Sequence, residues 1–128
     1  MRASAAALNG VGRVDVDKLS LLDNAEPEIS GGYILKIDRL DAGDTGFSAG
    51  GQSFAYYYPK ERDLKSPQRD PQEKALTAYL NDLNTRLQSA TNWKDPVLGY
   101  APKLDVPAAI DHHLLNVWAF NVDALRLS

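Results

Sequence analysis

Asp111, His112 and His113 stand side by side in "DHH" and bring side chains that commonly bind zinc. Neighbouring helical residues project about 100° apart, so three consecutive ligands do not converge on one ion. The plainer reading leaves Asp111 and His112 solvated, with His113 bordering the core. "DAGDTG" (41–46) supplies two carboxylates among flexible glycines, but lacks the ligand spacing and the closing bidentate Glu of an EF-hand loop. It reads as a surface turn. "GFSAGGQ" (46–52) has the glycines of a phosphate cradle without a Lys at Walker spacing, and it leads into a strand, so no helix N-terminus assists its amides. A hairpin loop is expected there. The tyrosines of "FAYYYPK" offer a stacking platform for sugars or bases, against the plainer reading of a strand with one aromatic face in the core. Exposure of Tyr57 decides between the two. The chain has no cysteine, which excludes thiolate metal sites, cysteine nucleophiles and disulfides, and no Ser sits in a recognisable nucleophile motif.

The closing stretch "NVDALRLS" (121–128) places Asp123 and Ser128 at the interval found in a protein-kinase catalytic loop. There an Asp accepts the proton of the substrate hydroxyl, and an Asn five residues on ligates magnesium beside the nucleotide phosphates. The separation matters because one carboxylate must face the acceptor oxygen while the next polar side chain, a turn of backbone later, faces the metal. A bare D-x4-S is common, so spacing alone supports only a loop that ends a helix.

The elements that must position these residues follow from periodicity. "VGRVDVDKL" (11–19) alternates Val14 and Val16 with charges, as a short strand or an extended connector does, and "SLLDNAEPEIS" (20–30) is a turn-rich bridge. "GGYILKIDR" (31–39) predicts a strand with Tyr33, Leu35 and Ile37 on one face. After the Gly-rich stretch 40–52, "SFAYYYPK" (53–60) predicts a second strand with Phe54, Tyr56 and Tyr58 opposite Ala55 and Tyr57. The two form an antiparallel hairpin with a long loop. From Ser66 the period becomes helical: Asp70 as cap, Pro71 in the first turn, then Leu76, Tyr79, Leu80, Leu83 and Leu87. Residues 89–104 break that helix with turn chemistry. Asp105 and Pro107 then open a second helix, ending near Phe120, whose stripe of Ile110, Leu114, Val117 and Trp118 is expected to pack on Leu76, Leu80, Leu83 and Leu87. The fold class is α+β, a β-hairpin followed by packed helices.

Composition bounds the function. At 128 residues, 44% hydrophobic and 24% charged, the chain suits one small globular domain, and a net charge of −3 lacks the basic field of a nucleic-acid binder. No apolar run approaches the roughly 18 residues of a membrane span. "MRASAAALNG" has too little apolar length for a signal segment, so residues 1–11 read as a disordered or appended lead-in.

Taken together, "GRVDVDKL", "ISGGYILKIDR", "GFS", "YYYPKE", "QEKALTAYLNDLNTRL" and "DPVLGYAPKLDVPAAIDHHLLNVWAFNVDALRLS" resemble, in order and spacing, the CotH kinase family, atypical protein kinases named for a spore coat protein. The resemblance covers residues 12–128, with the strand and hairpin part at 12–60 and the helical part at 66–128. It implies transfer of the ATP γ-phosphate to Ser of protein substrates, with magnesium. Asp123 is then the catalytic Asp and Asn121 the residue that supports its loop. Ser128 falls where typical kinases carry the metal-ligating Asn, as a neutral and therefore poorer ligand, and the resemblance implies Arg126, inside the loop, as a phosphate contact.

The resemblance further implies that the chain is the central part of such a domain, without the later metal-binding Asp and the earlier nucleotide-binding strands, and so inactive by itself. Spore coat, cell surface or secretion is the setting implied for the parent. Because some members act as surface proteins, a binding or structural module with a vestigial kinase loop is the alternative. Self-association through apolar surfaces meant for missing strands is a further expectation.

Overall fold

The computed structural model describes residues 19–30, 32–38, 40, 42, 45–59 and 66–122. Three strands, β1 (Ile34–Lys36), β2 (Gly46–Ala49) and β3 (Gln52–Tyr58), precede two helices, α1 (Asp70–Gln88) and α2 (Val106–Trp118). Single 3-10 turns lie at Glu28–Ser30, Pro67–Arg69 and Ala101–Lys103. The class is α+β, as the periodicities predict. Among the described residues no helix is long and apolar enough to cross a membrane.

The sheet runs β1-β3-β2 with both pairings antiparallel. The expected partnership of the two aromatic strands is present, Leu35 facing Tyr56 and Lys36 facing Ala55, with a bulge between Ile34 and Leu35. What differs is the intervening stretch. Residues read as loop contain β2, in register from Gly46 opposite Ala55 to Ala49 opposite Gln52, so the hairpin loop shrinks to Gly50 and Gly51. Both glycines have positive φ, 59° and 78°, which a two-residue type I′ turn requires and which side chains resist. The turn leans on α1: Gly50 N donates to Asn81 Oδ1 at 2.7 Å.

One face of the sheet makes the core with α1. Phe47 stacks between Phe54, at 5.6 Å, and Tyr56, at 5.0 Å between ring centroids. Tyr56 and Leu76 are buried, with Tyr33, Leu35, Phe47 and Leu80 packed around them. Burial pushes the Tyr56 hydroxyl far above its ordinary pKa, with a hydrogen bond to Glu73 adding to the shift. Tyr33 is likewise pushed up to about 12, chiefly by burial, and its hydroxyl donates to Ile29 O at 2.9 Å. Both stay protonated donors. Tyr57, on the opposite face, is 67% exposed, while Ala55 on that same face is buried. A single exposed ring on that face is what the plainer reading expects.

The stripe of α1 that meets the sheet begins with an amide. Gln72, one turn before Leu76, is fully enclosed at 0% exposure. Its Nε2 donates to Ser20 O at 2.7 Å and to Asp23 O at 3.1 Å, while its Oε1 accepts from Arg69 Nη1 at 2.8 Å. One side chain thus ties the bridge 20–23 to the start of α1. Asp70 does not cap α1 as expected: it is the first helical residue, Arg69 takes the cap position without a side-chain bond, and the preceding 3-10 turn delivers the chain instead.

Candidate functional site

The residues singled out for chemistry lie at or beyond the end of α2, so the way that helix starts and stops is what builds the site. At its start the expectation holds. Asp105 Oδ1 accepts from Ala108 N at 3.0 Å, with Pro107 in the first turn, where its missing N–H is no loss.

The connector before it is a folded unit rather than slack chain. Asp95 Oδ1 accepts from Val97 N and Leu98 N, each at 2.8 Å, while Gly99 N donates to Asp95 O at 2.9 Å. A Cβ on Gly99 would run into the carbonyl oxygens of Trp93, Asp95 and Asn92, so only glycine closes this turn without displacing backbone. Trp93 and Tyr100 stack across it at 6.2 Å. The last turns of α1 hold the unit. Arg86 Nη1 donates to Val97 O at 2.9 Å and Gly99 O at 3.1 Å, and Arg86 Nε to Asp82 Oδ1 at 3.0 Å. Lys103 Nζ sits 3.0 Å from Asp82 Oδ2, and the Tyr79 hydroxyl donates to Lys103 O.

Two carboxylates in this unit are poised to report acid. Lys103 and then Arg86 hold the Asp82 carboxyl below the ordinary carboxylate range, and the Leu98 and Val97 amides do the same for Asp95. Folded values below the unfolded values of about 4 mean that the stabilisation is complete above that pH and is lost as pH falls through the folded values. Trp93 fluorescence in a Trp118→Phe background is expected to change only below about pH 4. Asp95→Asn should remove much of that acid transition. A change centred on neutral pH in the parent background would contradict the assignment.

The apolar stripe of α2 does not close on α1 as expected. Ile110, Leu114, Val117 and Trp118 are between 51% and 85% exposed. Periodicity shows which residues share a face, not which element covers them. Asp111, His112 and His113 are all exposed, so His113 does not border the core.

The exception on α2 is Asn116, 8% exposed. Its Nδ2 donates to His112 O at 2.8 Å and approaches His112 Nε2 at 3.0 Å, where an amide N–H requires the ring nitrogen to accept. Its Oδ1 accepts from Asn121 Nδ2 at 3.1 Å. Backbone bonds close the same corner: Phe120 N donates to Val117 O at 3.1 Å and Asn121 N to Asn116 O at 2.9 Å, the paired bonds of a Schellman motif. Phe120 occupies the left-handed position of that motif with φ 53°, where glycine is the usual residue. The helix therefore stops at Trp118, slightly earlier than expected, and Asn121 is fastened to it twice over.

Phe120→Gly is expected to raise stability by about 0.5–1 kcal/mol. The left-handed strain of an L-residue outweighs the extra backbone entropy of glycine, and the ring, 85% exposed, loses little packing. Urea denaturation checks this, and a destabilised variant would mean that the ring is packed in solution.

Of the predicted site residues, Asn121 is thus placed on the helix end, while Asp123, Arg126 and Ser128 lie outside the described residues. Sequence reasoning missed Asn116, although a lone amide within "LLNVWAF" was a legible signal. Compared with protein-family models, with curated proteins and with solved structures, the chain matches none.

Proposed function

We propose that the chain carries the catalytic loop of a CotH-like atypical protein kinase, which transfers the γ-phosphate of ATP to Ser of a protein substrate. The observation that carries the reading is the double fastening of Asn121 to Asn116, which anchors the chain two residues before Asp123. Phosphoryl transfer asks little covalent chemistry of the protein and depends on positioning and charge stabilisation. In this reading Asp123 accepts the seryl proton and Asn121 holds the loop. ATP and magnesium are the cofactors, Arg126 faces phosphate, and Ser128, a neutral hydroxyl, is the weak metal ligand of the loop. Bound magnesium neutralises phosphate charge.

The test is magnesium-dependent transfer of labelled γ-phosphate from ATP to a Ser-rich acceptor protein by the natural gene product that contains this chain. Stable label on seryl residues supports the reading, and its absence with folded protein and magnesium present argues for the other.

That second reading is a surface or coat module in which the kinase loop is vestigial. The exposed apolar side chains of α2, with Val97 and Leu98 at the connector tip, favour it, because an apolar surface of this kind marks a place for a protein partner, a second copy included. Light scattering separates self-association from a monomer that awaits another protein.

A further inference from the structure

We infer that Asn116 is a positioning residue for the reaction, acting through Asn121 on the loop that carries Asp123. The assignment rests on the kinase reading above. Asn116 commits both ends of its amide: the nitrogen is bound back to His112, one turn earlier, and the oxygen is left for Asn121. A buried amide bound on both sides has one orientation available, since turning it over would set its nitrogen against the Asn121 amide and its oxygen against His112 O. The orientation of Asn121 is thereby set by α2 rather than by the loop.

The backbone states the same constraint independently. Phe120 is held in a conformation that costs an L-residue about 1–2 kcal/mol, and such strain persists only where surrounding contacts over-determine it. The contacts that do so are the bonds of Phe120 N to Val117 O and of Asn121 to Asn116. With only Val122 between the anchor and Asp123, loss of the Asn121 anchor removes a constraint on where the proposed proton acceptor sits. Misplacement of a reacting group by about 1 Å can cost on the order of 100-fold in rate.

The experiment is a double-mutant cycle in the natural gene product, with kcat and the KM for ATP measured for wild type, Asn116→Ala, Asn121→Ala and the double variant, and Asp123→Asn as reference. The expected result is a fall in kcat of about 10-fold or more for each single variant, an unchanged KM, and no further loss in the double variant, since both remove one contact. Asn116→Asp keeps an oxygen for Asn121 and should restore part of the rate. A merely structural role would lower the folded fraction and the thermal midpoint while leaving kcat per folded molecule unchanged. Asn121 is exposed, so Asn121→Ala reads the contact even if Asn116→Ala folds poorly.

If wild type is active and Asp123→Asn is not, but the single variants stay within about twofold of wild type or their losses multiply, the positioning role is overturned while the kinase reading stands. If wild type transfers no phosphate, or Asp123→Asn transfers it as well as wild type, the kinase reading falls and this assignment with it.

Discussion

Gln72→Leu is expected to lower stability by about 3 kcal/mol, a large share of the roughly 5–15 kcal/mol that holds a small domain together. Leucine fills nearly the same volume, so no cavity term enters. What is lost is polar: the Arg69 guanidinium gives up its acceptor, and the carbonyls of Ser20 and Asp23 give up their donor. Arg69 Nε already has no partner among the described residues, so the variant leaves a buried cation with still less to bind. Lost bonds to a charged group and to two carbonyls total about 4–5 kcal/mol, against about 1–2 kcal/mol regained from apolar transfer. The loss wins. Thermal unfolding should shift down by roughly 10 °C. Gln88→Leu, on the exposed end of the same helix, should stay within about 0.5 kcal/mol. Equal behaviour of the two variants would mean that the enclosed amide does not bridge residues 20–23 to α1 in solution.

Much of this architecture was legible because it rests on local rules. The 3.6-residue recurrence of Leu76, Leu80 and their neighbours marks α1, the Asp105 cap and Pro107 mark the start of α2, and alternation marks the pairing of β1 with β3. β2 was hidden because Gly46, Ser48 and Ala49 carry no strand preference of their own. Its register against β3 and the Gly50–Gly51 turn impose the strand.

The enclosed Gln72 escaped notice for a different reason. Its partners are backbone carbonyls about fifty residues away, and composition records nothing about them. Conversely, the stripe of α2 was correctly seen as apolar and wrongly assigned a neighbour. The site divides in the same way: Asn121 was singled out by resemblance and is held by Asn116, which periodicity treats as a flaw in the stripe. Asp123, Arg126 and Ser128 fall outside the described residues.

Asp123→Asn carries the largest expected effect on activity. In the proposed reading Asp123 accepts the seryl proton; a carboxylate in that role contributes about 100- to 10,000-fold to rate, and an uncharged amide of the same shape cannot take it. Asparagine preserves size and shape and keeps one acceptor oxygen. The variant should therefore fold as wild type does, with an unchanged circular dichroism spectrum and thermal midpoint. Binding of ATP should also survive, so the loss should fall on kcat and leave the KM for ATP little changed.

In the proposed reading α2 ends by presenting a working catalytic loop. The measurement that tests it most directly is the initial rate of magnesium-dependent phosphate transfer from ATP to seryl residues, wild type against Asp123→Asn, in the natural gene product. Transfer by wild type and a rate at least about 100-fold lower in the folded variant are expected. Equal rates in the two proteins, or no transfer by folded wild type, would contradict that reading.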